Sequence, residues 1–367
     1  MKKQSRRRFI KNVSAATMAA STVSFPFISY GRPLSQQGKL GIALVGLGYY
    51  STDLLAPGLQ QTEHCHLAGI VTGTPEKEKI WADKYNISQK NIYNYKNFDA
   101  IADNKDIDVI YVVLPNSMHK EYVIRAAKAG KHVICEKPMA LNAAECREMI
   151  KACKDAGVLL SIGYRLRYEP YTQRIEKFAR EETYGKIQVV NCGTGFRMSR
   201  PTSHWKIKVA YGGGAMMDMG VYAVQAARYS TGKEPLSVTA QQFNPDPENI
   251  SEVDETTTFQ LEFPDAIIAN SMATFSSSIN FLKINAQRGG FGLEPFQGYS
   301  GQHGFLPRGE NFDFPEKHQQ AVQMDEMCKA IMDGRSSLTP GEEGLRDMVI
   351  VDAIKESIKK RGKRISF

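Results

Sequence analysis

Between Lys39 and about Arg165, short runs of consecutive apolar residues alternate with longer segments whose apolar positions recur every three or four residues. The runs are LGIALVG, LAGIVT, DVIYVVLP, HVICEK and VLLSIGY. Nearly continuous, β-branched runs of this length predict strands covered on both faces. The intervening PEKEKIWADKY, HKEYVIRAAKAG and NAAECREMIKACKDAG predict helices, with Gly130 and Gly157 as stop signals. This alternation predicts an α/β fold that begins with a doubly wound parallel sheet over residues 39–165. After about Pro170 the pattern changes. IQVVNCGTGF, LSVTAQQF, ETTTFQLEF, AIIANSMATFS and INFLKINAQ follow one another with few helices between them. They predict an open, mostly antiparallel sheet in an α+β second domain over 166–367. GGGAMMDMGVYAVQAARYSTG interrupts the series as a glycine-rich turn opening a helix. Two further helices close the chain, around Lys317–Met332 and Glu343–Lys360.

The first predicted strand runs into LVGLGYYS, which supplies Gly46, Leu47, Gly48 and Tyr49, with Ser51 where G-x-G-x-x-G has its third glycine. Between a strand and a helix, this is the loop of a Rossmann dinucleotide-binding domain. Gly46 allows the tight turn. Gly48 lets a pyrophosphate approach the backbone at a helix N-terminus. An acid ending the second strand would hold the ribose hydroxyls of NAD. Here Thr72, Gly73 and Thr74 stand instead, followed by Lys77. A hydroxyl and a cation suit a 2′-phosphate, so NADP is favoured over NAD. The plainer alternative makes Lys77 a solvated first-turn lysine.

ICEKPMA and VVLPNSMH end the strands predicted from HVICEK and DVIYVVLP, whose carboxyl ends line the cofactor crevice of such a sheet. Leu114, Pro115, Asn116, His119 and Glu136 would border the dinucleotide, and Lys137 would point toward its nicotinamide end. A lysine partly desolvated there has a lowered pKa and exchanges a proton with a sugar hydroxyl. Pro138 restrains it.

Charge and composition narrow the choice. A formal charge of +8 invites a nucleic-acid partner, but Lys2, Lys3, Arg6, Arg7, Arg8 and Lys11 carry most of it, and +2 remains without them. No basic face with interleaved aromatics exists, so no nucleic acid is expected. No apolar run reaches bilayer length, so no stable membrane insertion is expected either. SRRRFIK, at Ser5–Lys11, followed by VSAATMAASTVSF, predicts a twin-arginine signal over residues 1–30 and hence export, periplasmic or otherwise, by that machinery. A short arm over 31–38 would follow; no clean A-x-A marks the cleavage position. The six cysteines show no C-x-x-C or metal spacing, which predicts buried free thiols and no metal.

EKPMA, GLGYYS, LPNSMH, GYRLRYEP and GGGAMMDMGVY together resemble the Gfo/Idh/MocA oxidoreductases over essentially the whole chain after residue 38. Within that family the resemblance is to the periplasmic glucose–fructose oxidoreductases. It implies a Rossmann domain followed by an open sheet used for substrate and oligomer contacts, and a homo-oligomer, dimer or tetramer. It implies that Lys137 binds the substrate hydroxyl and takes part in proton transfer, with Asp218 and Tyr222 completing the catalytic group. Four residues apart on a helix, those two can share one pocket. It implies that Thr72 and Lys77 hold the 2′-phosphate, with Tyr95 near the same end. Arg165 and Tyr168 would lie near cofactor and substrate, and Trp205 over the sugar. Each has a plainer alternative: Tyr222 and Trp205 as core aromatics, Asp218 as structural, His119 as a helix cap, Glu136 as an ion-pair partner.

Three departures bear on function. The arm is shorter than the resemblance implies, Lys206 stands in SHWKIKVAY where an arginine is expected, and the glycine-rich segment Gly289–Arg308 differs most, which leaves the sugar open. The sequence therefore predicts an exported NADP-dependent sugar oxidoreductase acting on an aldose or related sugar, with its bound cofactor recycled by a second sugar. An NAD-dependent glycoside hydrolase acting by oxidation and elimination, and a non-catalytic sugar-binding protein, are the alternatives.

Overall fold

In the structure, a computed structural model that describes residues 38–199 and 203–367, β1 (Leu40–Val45) is buried at all six positions. Strands flank it on both sides and helices cover the sheet, so an unbroken apolar run is what the site demands. β2 (Cys65–Val71), β3 (Ile92–Tyr93), β4 (Val109–Val112), β5 (His132–Cys135) and β6 (Leu160–Ile162) complete a six-stranded sheet in the order 3-2-1-4-5-6. Every neighbouring pair is parallel. β3 spans two residues, too few to form an apolar run. The order reverses at β1, so the loops after β1 and β4 diverge there and leave a crevice at the carboxyl ends. The twin-arginine segment and all of the arm but Gly38 lie outside the described residues.

The predicted helices form as α2 (Pro75–Tyr85), α3 (His119–Lys128) and α4 (Ala143–Asp155), after a short α1 (Ala56–Leu59) that continues a wide turn over Ser51–Leu55. Asn142 starts α4 by accepting the Glu145 N–H at 2.9 Å, the expected cap chemistry. Glu169 does the same for α5 (Pro170–Arg180), accepting from Tyr171 and Thr172.

The second sheet contains β7 (Ile187–Gly195), β8 (Ser237–Phe243), β9 (Thr256–Glu262), β10 (Ile268–Thr274), β11 (Ile279–Ala286), β12 (Gly289–Leu293), β13 (Gly304–Phe305), β14 (Asn311–Phe312) and β15 (Ile365–Ser366). Its order is 14-13-12-11-7-10-9-8-15, antiparallel except between β7 and β10. β9 alternates buried and half-buried positions, as a strand with one covered face should. α6 (Val221–Thr231) is buried along its whole length and packs on β7 and β10.

The last two helices return to the first half. α7 (Gln319–Met332) buries Met324, Met327 and Cys328 with Leu40, Ile42 and Leu44 in one core cluster. α8 (Gly341–Lys359) packs on α4 and on β8. Chain order assigns both helices to the second domain; packing gives α7 to the first sheet. No helix among the described residues is long and apolar enough to cross a membrane. All six cysteines are buried and unpaired, and burial pushes the Cys146 and Cys153 thiols up to about 12.

Candidate active site

Gly46 has φ +93°, and a Cβ there would lie 2.4 Å from the Val113 carbonyl oxygen. Only glycine lets β1 turn this close to β4. Ser51 closes the loop by donating its hydroxyl to the Gly46 carbonyl at 2.6 Å. Gly48 differs from Gly46: a Cβ there would meet nothing within 4 Å, so the backbone lies open to a ligand. Leu47 is buried beneath the loop, and Tyr49 is exposed above it.

Lys77 reaches back from α2 and donates to the Leu47 carbonyl at 2.6 Å, which brings its ammonium to the glycine loop. Thr72 is buried, and its hydroxyl oxygen accepts the Thr74 N–H at 3.2 Å. The Tyr95 ring lies against Gly73. An open glycine backbone, a cation beside it and no carboxylate among residues 72–74 fit a dinucleotide carrying a 2′-phosphate.

At the end of β5, Lys137 donates to the Asp218 backbone carbonyl at 2.6 Å and lies 3.3 Å from its Oδ1. Its ammonium sits 4.6 Å from the Tyr222 ring centre. Met216–Gly220 form a wide turn at the head of α6, which places Asp218 and Tyr222 on the same side of the crevice. Lys206 lies 2.7 Å from Asp218 Oδ2, so one carboxylate is shared by two ammonium groups. Burial opposes the Asp218 charge, but Lys206 and Lys137 overcome it and hold the carboxyl at about 2.

The lowered pKa expected of Lys137 is corrected here. Burial does press the lysine down, but Tyr222, Asp218 and Glu136 outweigh it and the net shift is upward. Lys137 stands as an ammonium. Glu136 is buried beside it: Tyr111 donates to its Oε1 at 2.6 Å and the Lys137 N–H to its Oε2 at 3.2 Å. Burial raises its pKa against those contacts.

Other expected residues serve the walls. Both His119 ring nitrogens lie 2.9 Å from backbone carbonyls, those of Pro138 and Leu114. The ring sits between the loop after β4 and the loop after β5, and because burial lowers its pKa the neutral ring donates to one of the two carbonyls. Asn116 donates to the Gly212 carbonyl at 2.7 Å and fastens the second half over the crevice. Pro115 is half-buried beside buried Leu114.

Arg165, expected at the cofactor, is 2% exposed and gives its guanidinium to the Gly298 and Gln297 carbonyls and Gln319 Oε1. It anchors the loop after β12, and Tyr299 from that loop stacks on it at 4.5 Å. Tyr168, expected at the substrate, faces away: its hydroxyl pairs with Thr339 Oγ1 at 2.9 Å in the buried interior. Trp205 is half-buried, 5.8 Å from the Lys206 ammonium.

The sequence reading did not assign Lys206, Tyr299 or Gln319 to the site. Lys206 had one available signal, its place just before the glycine-rich turn that carries Asp218. Tyr299 lies in a loop without periodicity, inside the glycine-rich segment Gly289–Arg308, whose departure from the resemblance is its one signal.

Residues 40–164 match the model of the oxidoreductase family with an NAD-binding Rossmann fold, and residues 172–290 match the C-terminal domain model of the same family. A crystal structure of an aldose-aldose oxidoreductase from Caulobacter crescentus is 37% identical, with TM-score 0.86 over 90% of this chain and all of that one. The chain belongs to the Gfo/Idh/MocA oxidoreductases.

Among other Gfo/Idh/MocA relatives, D-xylose 1-dehydrogenase [NADP(+)] of Haloarcula marismortui is 24% identical over 86% of this chain and 90% of its own length. A levoglucosan dehydrogenase in complex with NADH and levoglucosan shares the fold at 21% identity, with TM-score 0.78. The open loop at Gly48 and Lys137 thus both lie within the part of the chain that matches the NAD-binding Rossmann domain of an oxidoreductase family, and Asp218 and Lys206 come to Lys137 from the C-terminal half.

Proposed function

We propose that this Gfo/Idh/MocA protein is an exported, NADP-dependent sugar oxidoreductase whose cofactor is reduced by one aldose and reoxidised by a second sugar. The observation that carries the reading is Asp218 clamped by Lys137, at the end of β5, and by Lys206, in a chain whose second strand is followed by Thr72, Gly73 and Thr74 rather than an acid. The 37% identity to an aldose-aldose oxidoreductase and the NADP(+) in the name of the xylose dehydrogenase support it. Export rests on SRRRFIK at Ser5–Lys11. An exported enzyme has no free nucleotide pool to draw on, so a retained cofactor needs a second sugar to restore it.

Bound NADP would supply the hydride carrier, held by the Gly46–Tyr49 loop with Thr72, Lys77 and Tyr95 at its phosphorylated end, and a positive ring in the crevice would press Lys137 toward its neutral form. Lys137 donates a hydrogen bond to the reacting oxygen and moves the proton between that oxygen and its own Nζ. Asp218, fixed as a carboxylate, aims that ammonium and does not itself take the proton. The Tyr222 ring closes the far side of Nζ. In its ammonium form Lys137 is ready to protonate a carbonyl being reduced, and its neutral form accepts the proton of an alcohol being oxidised.

The test uses the mature protein purified without added nucleotide. Its absorbance near the reduced-nicotinamide band is followed after glucose and then after fructose or a second aldose, and the nucleotide released on denaturation is identified. Bound NADP that one sugar reduces and another reoxidises is the expected result. An empty protein, or bound NAD that changes only while an aryl glycoside is cleaved, would replace this reading with a conventional dehydrogenase or an oxidation–elimination glycosidase.

A further inference from the structure

Lys206 does more than neutralise Asp218. An ammonium carries three donors. Lys137 directs two of them to the Asp218 carbonyl and Oδ1, whereas Lys206 directs one, to Oδ2. At least one donor on Lys137 and two on Lys206 remain for a ligand. Lys206 is also the more open of the pair, its side chain 29% exposed against 14% for Lys137. Because both are tied to the two oxygens of one carboxylate, the free donors stand side by side, the arrangement that two neighbouring hydroxyl oxygens present. The rings of Phe196 and Trp205 flank the Lys206 ammonium at 5.5 and 5.8 Å, which limits its movement.

We infer that Lys206 binds the hydroxyl on the carbon next to the reacting one and thereby selects the configuration at that carbon. The inference rests on the sugar oxidoreductase reading above. For an aldose oxidised at carbon 1, the hydroxyl read is that of carbon 2. A compact ammonium with rotatable donors suits a single hydroxyl oxygen, whereas the planar fork of an arginine suits a carboxylate or phosphate. Asp218 already compensates much of the local positive charge, so a neutral hydroxyl is favoured over an anionic group.

The experiment compares wild type, Lys206→Met and Lys206→Arg. The substrates are the aldose that wild type oxidises fastest, its 2-epimer and its 2-deoxy analogue. Wild type is expected to favour the parent aldose over the 2-deoxy sugar by about tenfold or more in kcat/KM, the size of a hydrogen bond to a charged donor. Lys206→Met should lose that factor on the parent aldose, chiefly in KM, over and above whatever loss it shows on the 2-deoxy sugar through Asp218, and treat the two epimers alike. Lys206→Arg should restore the pH profile through Asp218 without restoring epimer selectivity.

Binding is read independently of turnover by tryptophan fluorescence. The chain has two tryptophans; Trp81 is buried, and Trp205 lies beside Lys206. Equal losses on parent and 2-deoxy sugars, or a wild type indifferent to the 2-hydroxyl, would overturn the inference and leave Lys206 as a positioning residue for Asp218. A wild type that neither binds nor oxidises any aldose would instead overturn the functional reading on which it rests.

Discussion

Asp218 shows how a buried carboxylate keeps its charge. Desolvation alone would raise its pKa, yet two lysines hold it at about 2. A carboxyl depressed in the folded state adds stability above its ordinary range of about pH 4, and that stability is lost as pH falls toward about 2. Acid unfolding followed by fluorescence should therefore begin at higher pH in Lys206→Met, which leaves the burial and removes one cation. The kcat/KM profile of wild type should show no Asp218 limb near pH 4. Lys137 has the opposite sign: its pKa is raised, so its contribution is complete below about 10.4 and is lost only at higher pH. Lys137→Ala should lower kcat by about 10²–10⁴-fold, the usual size of acid–base catalysis, while the protein still retains nucleotide. A loss of bound nucleotide in parallel would make Lys137 a cofactor anchor instead.

At the scale of elements, the two glycines after β1 have separable duties. Gly46→Ala forces a side chain into positive φ and against the Val113 carbonyl, a conformational cost of about 1–2 kcal/mol before any clash. Its melting temperature should fall. Gly48→Ala meets no protein atom, so its melting temperature should hold, but the added methyl should weaken nucleotide binding. Equal effects in both variants would argue against that division. The loop was legible because glycine spacing between a strand and a helix has one common geometric use. The helices were legible too: α2 covers the whole of PEKEKIWADKY, and Gly130 and Gly157 follow α3 and α4. What local pattern could not show was that the Arg165 guanidinium would be taken up by the carbonyls of Gln297 and Gly298, or that Tyr168 would turn inward to Thr339. Those partners lie more than 130 residues away in the chain.

For the whole molecule, a buried ion network joins the halves of the C-terminal region. Arg228 on α6 contacts Asp347 at 2.6 Å and Glu343 at 3.1 Å on α8, and Glu234 at 2.7 Å. Arg228→Met would strand the Asp347 carboxylate, which is fully buried, and should cost about 3–5 kcal/mol in urea unfolding. Removing Lys151 from its exposed pair with Asp155 should change stability by less than about 1 kcal/mol. The sequence by itself determined the longer strands and helices in their order, though not the two-residue β3 or β12 to β15, and with them the glycine loop, the lack of an acid after β2, and the lysine at the end of β5. These depend on periodicity, glycine geometry and residue type within a few positions. Only the tertiary structure decided that Lys206 shares Asp218 with Lys137, that Lys137 stays charged, and that α7 returns to the first sheet. Each depends on which charges and apolar faces meet in space, and no local pattern encodes that meeting.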